Sequence, residues 1–226
     1  MRAIGFDTVG GPEVLVEAQL PRPRPGAGDV LVEVAFAGVN FAEVQHRRGE
    51  FGDPDGFDVP GLEVAGTVVQ VGSRVASVRP GDVVAAYLPG FGGYAELAVT
   101  SEAFVARVPA GLAPEVAAGV PCVYPTAYGV LADAGRLAPG ETVLIHAATG
   151  GVGSAAAGVA RSLGASAVYG TVGSAAKLDL ADRLGYDRLF ERDGFAEQVL
   201  QATGGRGVDV VLERGETTGK MVLRVA

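Results

Sequence analysis

The sequence predicts an α/β chain in two parts: a compact β-barrel or sandwich, then a parallel sheet built from strand–helix–strand units. Up to the neighbourhood of Ala113, short β-branched runs are cut by Gly and Pro turns, whereas after Pro139-Gly140 strand-like and helix-like segments alternate regularly. Hydrophobic residues make up 48% of the 226, enough to build packed cores and to exclude a disordered chain.

In the first part, Val30 to Phe36, Val64 to Val71, Val83 to Tyr87 and Tyr94 to Val99 read as strands, the last three following the turn pairs Pro60-Gly61, Pro80-Gly81 and Gly92-Gly93. Phe41 to Arg48 has a helical pattern among them. Pro114 to Val120 and Thr126 to Ala134 also read as helices. In the second part the strands are Val143 to His146, Ala167 to Tyr169, Arg188 to Phe190 and Val208 to Leu212. They alternate with helices over Ser154 to Leu163, Ala175 to Leu184 and Phe195 to Thr203.

Composition narrows the function classes. A net charge of -8 and an isoelectric point near 4.8 oppose binding to nucleic acid or to anionic membrane surfaces. Cys122 is the sole cysteine and His46 and His146 are the two histidines, so no internal disulfide forms and a metal site is hard to assemble. There is no basic region followed by an apolar core at the start, and no apolar run approaches the roughly 20 residues that span a bilayer. The expectation is a soluble, cytoplasmic protein.

Chemistry concentrates at Ala148-Thr149-Gly150-Gly151-Val152-Gly153, directly after one buried strand and before a helix. This is the context of a dinucleotide-binding turn. Gly150 admits a pyrophosphate close to the backbone, Gly153 allows tight helix–strand packing, and the helix start with Gly151 and Val152 offers free N–H groups to phosphates. The first position of the motif is Ala148 instead of glycine.

The end of the second strand refines the cofactor. Recognition of a free ribose 2′-hydroxyl asks for an acid about 20 residues after the turn. Here Gly170-Thr171-Val172-Gly173-Ser174 stands in that place, and no acid occurs before Asp179. Ser174, Lys177 and Arg192 around an uncharged strand end suit a 2′-phosphate, so the expected cofactor is NADPH.

Several further segments stand in order: Gly38-Val39-Asn40-Phe41, Pro60-Gly61-Leu62-Glu63-Val64-Ala65-Gly66, Gly81-Asp82-Val83-Val84, Gly92-Gly93-Tyr94-Ala95-Glu96, Thr126-Ala127-Tyr128, and then the glycine turn and Gly170 to Lys177. Together they resemble the medium-chain dehydrogenase/reductase superfamily, in its zinc-free quinone oxidoreductase (zeta-crystallin-like) branch. The resemblance implies a GroES-like barrel over 1–122 and a Rossmann domain over 123–212, with NADPH in the cleft between them. Zinc-dependent relatives carry a cysteine at the position of Asn40 and a histidine at that of Leu62. By the same resemblance Asn40 and Thr126 are nicotinamide-side candidates, and Glu63 is a supporting residue. The implied reaction is hydride delivery to a quinone or an α,β-unsaturated carbonyl. An enoyl thioester of a polyketide pathway is the alternative acceptor, and a non-catalytic cofactor-binding relative is a third reading. His46, in a stretch where relatives often carry tyrosines, reads as solvent-facing in preference to a proton donor.

The chain departs from the family after Leu212. Relatives continue with further strand–helix units before a segment like Glu213 to Leu223, whereas here Leu212 runs straight into it. The Rossmann domain is expected to be truncated, with its fourth strand left as an edge and the relatives' dimer strand absent. The segment 213–226 is expected to return to the first domain, since Glu213 to Gly219 spans at most roughly 25 Å. Retained but weakened NADPH binding and reduced or absent turnover follow from that reading.

Overall fold

The structure is a computed structural model that describes residues 1–214 and 220–224, with side chains described for residues 1–212. The chain divides into two compact units, Met1–Cys122 and Val123–Ala226.

The first unit opens with a two-stranded antiparallel ladder, β1 (Arg2–Gly5) with β2 (Val16–Gln19). Its main sheet contains β3 (Asp29–Ala37), β4 (Glu63–Val71), β5 (Val83–Tyr87), β6 (Leu97–Ser101) and β7 (Val105–Arg107), in the order β6-β3-β4-β5-β7 and antiparallel throughout. Irregularities between Leu31 and Val32 and between Val34 and Phe36 break the β3–β4 register, and such bulges add the twist that curls a sheet toward a barrel. Val30, Val32, Val68, Val78 and Val84 fill one part of the core, and Val64, Ala86, Leu88 and Ala98 another. The helix α1 (Phe41–Arg47) follows β3, and the short α2 (Pro114–Ala117) packs Ala117 and Ala118 against Ala65.

The strand expected from Tyr94 begins instead at Leu97. The N–H groups of Gly93 and Tyr94 donate to the carbonyls of Gly61 (3.0 Å) and Pro60 (2.9 Å), and Ala95 forms an isolated bridge with Ala3 of β1, so the backbone before Leu97 is divided between the loop ahead of β4 and β1. His46 also departs from the solvent-facing expectation. It is 7% exposed, stacks on Phe91 at 4.0 Å between ring centroids and meets Phe6 edge-on, while its Nε2 sits 2.8 Å from Asp58 Oδ2. Phe6 and Phe91 are far from His46 in the chain, which is why periodicity within α1 does not reveal them.

The second unit starts with α3 (Val123–Tyr128), which runs into a π-helical turn, Gly129–Ala134. Then follow β8 (Thr142–Ile145), α4 (Gly151–Ser162), β9 (Ala167–Val172), a 3₁₀ turn (Ala175–Leu180) leading into α5 (Ala181–Leu184), β10 (Arg188–Glu191), α6 (Phe195–Ala202), β11 (Val210–Arg214) and β12 (Lys220–Arg224). The sheet order is β10-β9-β8-β11-β12, with the first four strands parallel. This is a Rossmann half: the order reverses direction at β8, so the carboxyl ends of β8 and β11 flank the switch point where such sheets bind ligands. Helices cover both faces. Ala155, Ala156, Ala157 and Ala160 of α4 pack on Val143, Ile145 and Val168, while Val199 of α6 packs with Leu144 and Phe190 on the opposite side.

Two expectations for the C-terminal segment are corrected. β12 pairs antiparallel with β11 from Arg214↔Lys220 to Val210↔Arg224, so it extends the second unit's own sheet and does not return to the first unit. For the same reason β11 is not an edge. Its outer backbone groups are paired by the nearest strand in sequence, a shorter loop to close than a return to another domain. Residues 215–219 and 225–226, part of that segment, lie outside the described residues.

Candidate functional site

The glycine turn is built by a reversal of the chain immediately beyond β8. Ala147 adopts φ 52°, the left-handed region that a non-glycine residue enters at a cost of about 1–2 kcal/mol, and its carbonyl accepts the N–H of Gly150 at 2.8 Å. Gly150 is the N-cap of α4, with extended backbone and no side chain to cap the helix. The first-turn N–H groups of Gly151, Val152 and Gly153 therefore lack side-chain acceptors from the cap, the arrangement in which a helix start receives a phosphate. The helix begins at Gly151, ahead of the expected Ser154, because the second half of the turn is itself its first turn.

Gly153 is where helix and strand meet. A Cβ at that position would overlap the Ala147 carbonyl oxygen and lie 2.8 Å from Ala148 Cα and 2.9 Å from Ala148 C, all backbone atoms that cannot step aside. Gly170 does the same job one strand over. It is buried in β9, and a Cβ there would lie 2.7 Å from Ala148 Cβ and 2.8 Å from Leu189 and Tyr186 side-chain atoms. Gly170 thus supports the turn from beneath. The first motif position, Ala148, is fully buried and packs into this layer.

Tyr186 is not legible in the sequence as a site residue. Its hydroxyl donates to the Gly153 carbonyl at 2.6 Å, tying the residues after α5 to the first turn of α4, and burial pushes its phenol pKa up. Tyr186→Phe is expected to lower stability by about 1 kcal/mol, since a buried hydrogen bond is lost. Urea unfolding checks this, and no change in midpoint would show the bond to be dispensable.

At the end of β9, Ser174 starts the 3₁₀ turn and its carbonyl accepts the Lys177 N–H at 3.1 Å. Arg192 is brought to the same strand end, because its N–H donates to the Val172 carbonyl at 2.9 Å. Ser174, Lys177 and Arg192 are exposed, and among the described residues neither cationic side chain has an ion-pair partner. Glu191, last in β10, lies in register with Val172, an acid near this strand end that the sequence of β9 alone does not reveal. His146, one residue past β8, places Nδ1 2.8 Å from Thr171 Oγ1 and meets the Phe195 ring edge-on. Thr126 is half-buried on α3.

In the first unit Asn40 is the N-cap of α1, and its backbone N–H donates to Glu43 Oε2 at 2.7 Å in a reciprocal capping arrangement. Its side-chain Nδ2 donates to Glu63 Oε1 at 3.0 Å, and Glu63 Oε2 accepts the Cys122 N–H at 2.7 Å. Burial raises the Glu63 pKa, opposed by the hydrogen bonds from Cys122 and Asn40 and reinforced by the nearby Glu43 carboxylate. The Asn-x-x-Glu spacing signals the cap. The pairing with Glu63 requires the fold.

Comparison with known proteins gives matches to both units. The family profile described as alcohol dehydrogenase GroES-like domain matches residues 26–110, and that described as zinc-binding dehydrogenase matches residues 151–221. A phenolphthiocerol/phthiocerol polyketide synthase of Mycobacterium tuberculosis is 40% identical over 210 residues, covering 92% of this chain and 10% of that protein. The chain thus spans about a tenth of the length of this curated relative. Among solved structures, Escherichia coli quinone oxidoreductase complexed with NADPH superposes with a TM-score of 0.86 at 32% identity, over 94% of this chain and 66% of the other. The CurK enoyl reductase superposes with a TM-score of 0.86 at 31% identity, over 96% of this chain and 68% of the other.

Proposed function

From the premise that the chain belongs to the medium-chain dehydrogenase/reductase superfamily, in its zinc-free quinone oxidoreductase branch, we propose that it is an NADPH-dependent reductase of electron-poor double bonds, with an enoyl thioester as the acceptor class. The observation that carries the oxidoreductase reading is the uncapped glycine turn at the switch point of a parallel sheet. The cradle fits a dinucleotide: Gly150 has no side chain over the turn, and the N-terminal N–H groups of α4 have no cap to satisfy them. Lys177 and Arg192, exposed and without ion-pair partners among the described residues, favour the 2′-phosphorylated cofactor. Likeness to a polyketide synthase and to an enoyl reductase favours the thioester. A quinone is the second reading, favoured by the likeness to a quinone oxidoreductase.

Bound NADPH supplies the hydride. The chain's own residues bind and orient. Gly151 and Val152 N–H groups would hold the pyrophosphate, Ser174, Lys177 and Arg192 would hold the 2′-phosphate, and Thr126 would serve the nicotinamide side. Leu62 and Asn40, at positions where zinc-dependent relatives carry ligands, offer no thiolate or imidazole to a metal.

The deciding measurement is oxidation of NADPH, followed by absorbance, with a crotonyl thioester and with 1,4-benzoquinone in parallel. Turnover with the thioester at a kcat/KM at least about tenfold above that with the quinone supports the proposal, and the reverse order supports the quinone. Absence of any NADPH binding in isothermal titration would overturn the cofactor assignment itself.

A further inference from the structure

Helix α1 buries three ionisable side chains, and two of them have counterparts. Glu43 accepts the backbone N–H groups of Asn40 and Leu62, and His46 faces Asp58. Arg47 is the exception. It is 7% exposed, yet among the described residues it forms no ion pair. Its one side-chain hydrogen bond among them runs from Nη1 to the Gly10 carbonyl at 2.6 Å, and the Gly10 N–H donates back to the Arg47 carbonyl at 2.9 Å. That reciprocal pair lays the loop before the 3₁₀ turn Pro12–Val14 over the end of α1, where a Cβ on Gly49 would lie 3.0 Å from Val9 Cγ1.

A cation taken out of water without a counterion is costly, and one carbonyl does not replace its hydration. Carbonyls in the last turn of α1 ease that cost without neutralising the charge. The guanidinium carries five N–H donors, of which the Gly10 bond uses one. Among the described residues, the buried side-chain nitrogens and oxygens without a partner are His46 Nδ1 and Tyr94 Oη. Arg47 Nε and Nη2, unpaired and not among these, therefore open onto solvent. The acids of the covering loop do not close that opening. Asp7 is exposed and makes no ion pair with Arg47. Glu13 Oε1 accepts the Gly11 N–H at 2.8 Å, and that N–H shares a trans peptide with the Gly10 carbonyl, so the two point in opposite directions. Carboxylate and guanidinium thus lie on opposite edges of one peptide group.

We propose that Arg47 is the floor of an oxyanion-binding site in the first unit, one that takes the terminal phosphate or carboxylate of a small molecule. The edge formed by Nε–H and Nη2–H matches two oxygens of such a group. The recess selects the tip of a small ligand over a flat protein surface, because 7% exposure leaves room for little else. Arg47, Gly10, Gly11 and Glu13 all belong to the first unit, so the site stands apart from the cofactor assignment.

The test uses the whole chain labelled with nitrogen-15. Its arginine Nε–H resonances are followed by NMR as chloride is exchanged for inorganic phosphate or for acetate at constant ionic strength. Exposed Arg22, Arg24 and Arg48 are internal controls, since surface guanidinium groups gain little from oxyanions in water. The Arg47 signal is expected to shift saturably with at least one of the two anions. A midpoint of about 1–10 mM is the affinity that two charge-assisted bonds at an open site support. The three controls should drift without saturating. R47K keeps the charge but loses the fork, so the midpoint, read at the Gly10 backbone N–H, should rise at least about fivefold, whereas R48A should leave it within about twofold. An Arg47 signal that moves no more than the controls overturns the proposal, and so does an R47K chain that binds as tightly as wild type. Where R47K does not fold, the wild-type titration decides alone. A response confined to Arg192 overturns this site while agreeing with the 2′-phosphate assignment, and a saturable response at Arg47 upholds it whatever Arg192 does.

Discussion

Gly153→Ala is expected to destabilise the second unit by about 3 kcal/mol and to reduce NADPH affinity at least about a hundredfold. Two effects oppose each other at this position. Replacing glycine with alanine inside a helix gains about 1 kcal/mol from propensity, because the unfolded chain loses freedom. Against that, the new methyl would meet three backbone atoms of Ala147 and Ala148, two of them at 2.8 and 2.9 Å, and relief requires α4 to lift away from β8. Overpacking wins, because a helix start displaced from the strand end no longer aims its N–H groups at a phosphate. Gly158→Ala in the same helix supplies the control. Nothing lies within 4 Å of a Cβ built there, so only the propensity gain remains and stability should rise by about 0.5–1 kcal/mol. Urea unfolding of both variants, with nicotinamide fluorescence titration, checks the pair. If Gly153→Ala proved as stable as Gly158→Ala, the close approach of α4 to the turn would be wrong.

The second large effect concerns cofactor choice. In the Lys177→Ala/Arg192→Ala double variant, NADPH affinity should fall about a hundredfold while that for NADH changes by less than about threefold, since two charge-assisted contacts are lost only to the 2′-phosphate. Neither side chain is committed to an ion pair among the described residues, so truncation leaves no orphaned partner and the loss reports on the ligand. Glu191 sharpens the test. An acid in register with Val172 offers a ribose hydroxyl an acceptor once the cations are gone, so NADH binding should persist. Equal losses for the two cofactors, measured by fluorescence titration at fixed ionic strength, would remove the 2′-phosphate from the argument.

Much of this molecule can be read along the chain because the relevant signals are local. The alternation from Val143 to Leu212 yields the parallel strands of the second unit, and β-branched runs between Gly and Pro turns yield β3, β4 and β5. The glycine turn is legible for the same reason, its meaning resting on a strand immediately before and a helix immediately after. Where the local pattern misleads, a distant partner decides. Tyr94 and Gly93 are claimed by Pro60 and Gly61, which delays β6, and His46 is enclosed by Phe6, Phe91 and Asp58. The segment 220–224 pairs with β11 because an unpaired strand edge takes the nearest chain able to satisfy it.

By itself, then, the sequence determined the fold class, the glycine turn between strand and helix and the absence of an acid at the end of β9, the last two written in the short stretch from Ala148 to Ser174. Tertiary structure alone decided how that turn and Asn40 are held. The Tyr186 hydroxyl reaches Gly153 across 33 positions, and Glu63 reaches Asn40 across 23. Hydrogen bonds over such separations leave no periodicity in the sequence, because their geometry exists only once the sheets have closed the loops between the partners.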